Sequence, residues 1–192
     1  VYKRQELLRE NKINSSDIKM IIHGTTLATN AVIERKGAKT CFITTEGFRD
    51  VLDIGYESRF DQYDILIEKT MSLVPRKHRY VIEERTDING SIIKPINVKK
   101  FQSLVDTIKK EKFDSIGIGF LHSYANSKNE NELKDFLLKY LPEVEVSISS
   151  DVCPEIREYE RFTTTVVNSY IKPLISTYLK KLDNELKQKG FN

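Results

Sequence analysis

A chain of 192 residues, 39% hydrophobic and 31% charged, can build one substantial core and has the composition of an ordinary folded domain. Its net charge of +3 is spread through interleaved Lys, Arg, Asp and Glu, so there is no electrostatic case for nucleic acid or an anionic membrane surface. No apolar run nears the ~20 residues a membrane helix needs, and the charged N-terminus does not read as a signal peptide. Cys41 and Cys153 are far apart, in apolar or proline-flanked settings, which fits a reduced, cytoplasmic protein with structural cysteines.

In chain order, residues 3–10 read as the end of a helix, and Ser15-Ser16-Asp17 punctuates before an apolar run (Ile18, Met20, Ile21, Ile22) expected to form the first strand. The stretch His23-Gly24-Thr25-Thr26-Leu27-Ala28-Thr29-Asn30-Ala31 follows, with a helix expected over 28–36 and stopped by Gly37. A strand, a small hydroxylated turn and a helix together place hydroxyls and backbone N–H groups where an anion can bind. Spacing alone favours the simpler reading, in which Thr25, Thr26 or Thr29 caps the helix, because every helix needs a cap and binding is not required of it.

A second strand is expected over 39–44, then a turn at Thr45-Glu46-Gly47 and a short helix over 48–54. Residues 55–75 read as a long irregular loop carrying Arg59, Asp61, Tyr63 and Asp64. Residues 78–83 and 91–94 flank Asn89-Gly90 and are expected to pair as a hairpin. Asn97 can cap a helix with Val98, Phe101, Leu104, Val105 and Ile108 on one face. The continuous apolar run 115–121 reads as a strand buried on both faces. A helix beginning at Ser127 and carrying Leu133, Phe136, Leu137, Tyr140 and Leu141 comes next. Val144, Val146 and Ile148 alternate as a strand, and the chain is mostly helical from Glu155. In that final helix Val166, Tyr170, Leu174, Tyr178, Leu182 and Leu186 form a stripe that Pro173 either kinks or restarts. The alternation predicts one α/β domain over 1–192, a mixed sheet covered by helices.

Few residues offer chemistry by spacing alone. His23, His78 and His122 lack metal-ligand spacing, so no metal site is expected. Neither GxGxxG, GxxxxGKS nor GxSxG occurs, and no catalytic residue can be assigned. His23 and His122 both fall at expected carboxyl ends of strands, where open α/β sheets bind ligands. Arg157 and Arg161, four apart, read either as guanidinium forks for an anion or as part of a solvated helix start laced with ion pairs.

Several blocks resemble, in matching order, the hydantoinase A/5-oxoprolinase family. They are residues 23–31, Glu34-Arg35-Lys36-Gly37, residues 44–52 (with Arg49 and Asp50), Leu73-Val74-Pro75-Arg76, residues 120–126 (with His122), and residues 154–161. That family holds N-methylhydantoinases, 5-oxoprolinases and the ATP-using subunits of acetone and acetophenone carboxylases. The resemblance implies part of an actin/Hsp70/sugar-kinase-like, ribonuclease H-like ATPase half. The family's first phosphate loop is expected before Val1 and the second ATPase half after Asn192, so the piece alone is expected to be inactive. It further implies ATP and Mg2+ as cofactors of the full-length protein, none held tightly by this piece. Phosphoryl activation of a carbonyl would open a cyclic amide or carboxylate a ketone, with a hydantoinase B-type subunit as partner in an oligomer. On this resemblance His23, Gly24, Thr25, Thr26 and Asn30 would contact substrate or the transferred phosphoryl group. Arg49, Asp50, His122, Arg157, Glu158 and Arg161 would lie near a cleft or an interface. A non-catalytic assembly domain is the alternative in another class, with the charged run and final helix as its contact surface.

Overall fold

The computed structural model describes residues 6–8, 10–56, 61, 63–67, 70–97 and 101–191. Helix α1 (Leu27–Ile33) precedes strand β1 (Thr40–Thr45), the short helix α2 (Val51–Ile54) and strand β2 (Arg79–Ile82). A small ribbon of β3 (Arg85–Thr86) and β4 (Ile92–Lys94) follows, then α3 (Gln102–Glu111) and β5 (Ser115–Gly119). The chain ends with α4 (Lys128–Tyr140), β6 (Glu145–Ile148), a single turn α5 (Ser149–Val152) and the long α6 (Glu158–Gln188).

The main sheet has the order β2-β1-β5-β6 and every pairing in it is parallel. Parallel strands need crossover connections, and here crossover helices α3 and α4 cover one sheet face while α6, which follows the last strand, lies on the other. The two central strands, Thr-Cys-Phe-Ile-Thr-Thr and Ser-Ile-Gly-Ile-Gly, are accordingly buried at every position. On one face Cys41, Ile43, Ile116 and Ile118 pack with Val105 and Ile108 of α3 and Leu133 and Leu137 of α4. Burial pushes the Cys41 thiol far above its ordinary pKa, which makes it an inert core residue. On the other face Phe42 meets Phe162 and Val166 of α6, together with Val74.

That second face depends on glycine. A Cβ placed on Gly119 would stand 2.5 Å from the Phe162 ring and 2.8 Å from Phe42. Bare backbone in β5 therefore lets α6 lie directly on the sheet. The helix then runs unbroken through Pro173, which has no N–H to give. In that turn the Tyr170 carbonyl accepts an N–H from Ala38 at 2.8 Å, so the loop after α1 docks there.

Several expectations are corrected. Residues 18–22 form no strand: Met20 and Ile22 are 75% and 86% exposed, and no described strand pairs with them. An apolar alternation without a ladder partner leaves its backbone groups to water. The Asn89-Gly90 turn exists, with Gly90 at φ 83° and the Asp87 carboxylate taking the N–H groups of Asn89 and Ser91. It joins β3 to β4, while β2 leaves the expected hairpin to pair parallel with β1. The main sheet is thus purely parallel, and the antiparallel pairing sits in the separate ribbon. Helix α1 ends at Ile33 and α2 begins only at Val51, both shorter than expected. Arg59 and Val98 lie outside the described residues.

Gly119→Ala tests the glycine floor under α6. We expect a loss of about 1–3 kcal/mol in urea-unfolding free energy from overpacking against Phe162 and Phe42. An unchanged midpoint would mean that α6 does not press on β5 as described.

Candidate functional site at the carboxyl edge of the parallel sheet

From β1 the chain crosses first to β2 on one side and later to β5 on the other. The strand order therefore reverses between β1 and β5, and in open α/β sheets ligands bind beyond the strand carboxyl ends at that reversal. The residues there are Thr45-Glu46-Gly47 after β1 and Phe120-Leu121-His122 after β5.

Two buried clusters hold this edge. In the first, the Thr45 hydroxyl accepts the Leu121 N–H at 2.9 Å and donates to the Glu84 carboxyl group. The other Glu84 oxygen accepts from Asn129 Nδ2 at 2.8 Å. Glu84 is only 3% exposed. Burial pushes its carboxyl pKa above the ordinary value and the Glu130 charge adds to this, against the hydrogen bonds from Thr45 and Asn129.

In the second cluster, fully buried Glu130 takes four hydrogen bonds. One oxygen accepts the Phe120 N–H at 2.9 Å and the Ser149 hydroxyl at 2.6 Å. The other accepts the Ser150 N–H at 2.9 Å and its hydroxyl at 2.7 Å. Arg161 is also fully buried. Its guanidinium donates to the Phe120 carbonyl at 2.9 Å, to the Glu155 carbonyl at 2.6 Å, to the Ile156 carbonyl at 3.3 Å and to Ser149 Oγ at 3.2 Å. The rings of Tyr124 and Phe162 flank it at 5.4 and 5.2 Å.

His122 comes next in the chain, in a left-handed conformation with φ 54°. Non-glycine residues adopt that geometry rarely, and it persists where surrounding structure imposes it. Here the imposition is visible: the N–H and C=O of Phe120 and the N–H of Leu121 are all taken by buried side chains. The His122 ring is half-buried and meets Tyr124 edge-on, with Nδ1 3.4 Å from the phenol oxygen.

The remaining candidate residues are placed elsewhere. His23, Gly24, Thr25, Thr26 and Asn30 are exposed, and His23 Nε2 lies 2.6 Å from the Tyr178 hydroxyl. Thr25 Oγ1 accepts the Leu27 N–H at 3.2 Å, while Thr26, at the N-cap position, makes no side-chain capping bond. Tyr178 is 17 residues beyond Arg161 on α6, a helical rise of roughly 25 Å. The turn at 23–30 and the strand-end edge are therefore two separate places. His23 follows no strand, whereas His122 does stand at the carboxyl end of β5.

Arg49 is half-buried and donates to the Arg76 carbonyl at 2.9 Å, and Asp50 takes the Arg76 fork at 2.7 and 3.1 Å. Arg157 is exposed and Glu158 half-buried at the start of α6. Arg161 does not join Arg157 to face an anion: it points inward, and carbonyls and Ser149 take up its donors. Burial lowers its pKa, with the Glu158 and Glu130 charges opposing.

Glu84, Asn129, Glu130 and Ser149 escaped the reading by motif, and Thr45 stood within a family block without a role of its own. One signal was available, because Glu130 stands three residues before Leu133 and seven before Leu137, on the apolar stripe of α4. A carboxylate on such a stripe must be buried and paired. Glu84, within Glu83-Glu84-Arg85, looks like surface charge and carried no comparable mark.

A parallel four-stranded sheet with helices packed on both faces defines an α/β domain. The description "Hydantoinase/oxoprolinase N-terminal region" matches residues 3–141. The chain belongs to that family. A protein of Methanocaldococcus jannaschii, itself uncharacterized, is 42% identical over 184 residues, covering 94% of this chain and 27% of that protein. The alpha subunit of a caprolactamase from Pseudomonas jessenii is 32% identical over 91% of this chain and 25% of its own length. The crystal structure of that ATP-dependent caprolactamase superposes with a TM-score of 0.87 at 30% identity, over 97% of this chain and 28% of the other. 5-Oxoprolinase 1 of Arabidopsis thaliana is 31% identical over 96% of this chain and 16% of its own. The chain thus spans about a quarter or less of the length of these relatives. Among the described residues no helix is long and apolar enough to cross a membrane.

Glu84 yields a pH prediction. Its folded pKa lies above the unfolded one, so the native state holds the proton more tightly. The stability this adds is fully present below the unfolded carboxyl pKa of about 4.3 and is lost as pH rises through the folded value. Urea midpoints of wild type and Glu84→Gln should therefore diverge with pH. The wild type falls relative to the variant from about pH 4.5 upward, whereas parallel curves would show that Glu84 is not buried as described.

Proposed function

We propose that this chain is the N-terminal part of an ATP-dependent enzyme that opens a cyclic amide ring of the hydantoin, 5-oxoproline or lactam type. The reading rests above all on the match to the ATP-dependent caprolactamase over nearly the whole chain, at a TM-score of 0.87. The relation to a 5-oxoprolinase, a second enzyme named for a cyclic amide, supports it.

On this reading the exposed turn at 23–30 contacts the substrate carbonyl or a phosphoryl oxygen. The turn fits such a group, since nothing lies within 4 Å of where a Gly24 Cβ would stand and an oxyanion can approach the backbone closely. Thr26 and Asn30 add exposed hydroxyl and amide donors. ATP, when bound, would supply the phosphoryl group that, placed on the amide oxygen, makes the carbonyl carbon open to water, so that the ring C–N bond can break with a proton going to the nitrogen and the phosphate released afterwards. This chain's residues orient the carbonyl and offer hydrogen bonds to the charge that develops on it. Mg2+, when bound, would be held chiefly by the ATP phosphates and water, since the ion usually takes only one or two protein carboxylates. Arg157 and Glu158, at the start of α6, are assigned to contacts with the rest of the enzyme or with a hydantoinase B-type subunit in an oligomer.

The test is substrate-dependent ADP release by the full-length protein with its partner subunit, supplied in turn with 5-oxoproline, hydantoin and caprolactam. One of these should stimulate release. Thr26→Val combined with Asn30→Ala should cut that release at least tenfold while leaving the melting temperature within a degree or two, since both side chains are exposed. No binding of a non-hydrolysable ATP analogue by the assembled protein would instead favour a non-catalytic assembly role.

A further inference from the structure

A cavity lies on the α6 face of the sheet, lined by no residue of the turn at 23–30 or of the strand-end edge. It has a volume of about 710 Å³ and three arginines in its wall, Arg35, Arg76 and Arg79, with Asp53, Leu73 and Tyr170. We propose that it binds a small organic acid, with a carboxylate held by the arginines and an apolar body against Leu73 and Tyr170. The inference is independent of the proposed catalytic reading, because it concerns binding and not turnover.

The wall is built for the purpose from separate parts of the chain. Arg79 is buried and fixed: Nε donates to the Val74 carbonyl at 2.9 Å, and the fork meets the two Asp53 oxygens at 2.6 and 2.7 Å. Arg76 is oriented in the same way by Asp50, through Nε at 2.7 Å and Nη2 at 3.1 Å. Arg35 has a positive φ of 56°, and its Nη2 is anchored on the Met71 carbonyl at 2.6 Å. Gly37, two residues on, makes room for the Tyr170 ring, which a Cβ there would overlap. So Glu34-Arg35-Lys36-Gly37 and Leu73-Val74-Pro75-Arg76, two sequence blocks without a role in the catalytic reading, meet across one cavity.

Charge and size select the ligand. Among the described residues lining the cavity three guanidinium groups stand against one carboxylate, Asp53, an excess of positive charge that suits an anion. Each arginine keeps N–H groups beyond those its named partners take, because a guanidinium carries five. Fork-shaped donors match a carboxylate, and a cavity of this volume holds a whole small molecule rather than a bare ion.

Calorimetric titration of the full-length protein with benzoate, benzamide and inorganic phosphate tests this. Benzoate should bind with the highest affinity, at least tenfold above its neutral isostere benzamide and above phosphate. Arg35→Gln, which removes an exposed charge and no core contact, should weaken benzoate about tenfold and leave the melting temperature unchanged. The proposal is overturned if benzamide binds as well as benzoate, if phosphate binds more tightly, if no heat is seen at millimolar benzoate, or if Arg35→Gln leaves the affinity intact. Because binding is read without ATP, failure here leaves the cyclic-amide reading standing, and loss of turnover leaves this one standing.

Discussion

The arrangement depends on three backbone groups at the end of β5. The Phe120 N–H, the Phe120 carbonyl and the Leu121 N–H are claimed by Glu130, Arg161 and Thr45 respectively, none of them more than 1% exposed. Burying a glutamate and an arginine is costly, and it is tolerable only when their donors and acceptors are met. Here the two charges do not touch. The Ser149 hydroxyl stands between them, donating to Glu130 and accepting from Arg161, while the Ser123 hydroxyl lies 2.9 Å away. Strand β1, helices α4, α5 and α6, and the loop that leaves β5 are thereby tied at one point. His122 inherits its left-handed backbone from that restraint.

Helix α6 links this edge to the rest of the molecule. Its first turn supplies Arg161, and its next turns lie on the glycine floor of β5 through Phe162 and Val166. Tyr170 faces Gly37 and the arginine-lined cavity, and Tyr178 meets His23. A single 31-residue rod thus fixes the spacing between the hydroxylated turn, the cavity and the strand-end loop.

The α/β alternation was legible because buried parallel strands read as unbroken apolar runs, as in residues 41–43 and 115–121, and because α3 and α4 carry clear helical stripes. Three features were not. Residues 18–22 have the composition of a strand, but a strand needs a neighbour, and local pattern says nothing about who pairs with whom. The Asn89-Gly90 turn was visible, yet it gave the wrong partner for residues 79–82, since register across a sheet is decided by the core and not by the nearest turn. Arg161, within Glu155-Ile156-Arg157-Glu158-Tyr159-Glu160-Arg161, was indistinguishable from its solvated neighbours. Its burial follows from the tertiary approach of Phe120, about forty positions away, which no local window contains. The family blocks fared differently: their order pointed to the family, while the meeting of Arg35 and Arg76, from two separate blocks, around one cavity was visible only in the structure.

Native-state hydrogen exchange at the Phe120 and Leu121 amides is the most direct measurement of whether the buried frame holds the strand-end loop. With both N–H groups bonded to buried side chains, they should exchange only through global unfolding, as slowly as the amides of β1. In Thr45→Val, which removes the acceptor of the Leu121 N–H at nearly the same size, the Leu121 amide should become selectively faster while Phe120, held by Glu130, stays slow. Exchange of both amides at loop rates in the unmodified protein would contradict the account.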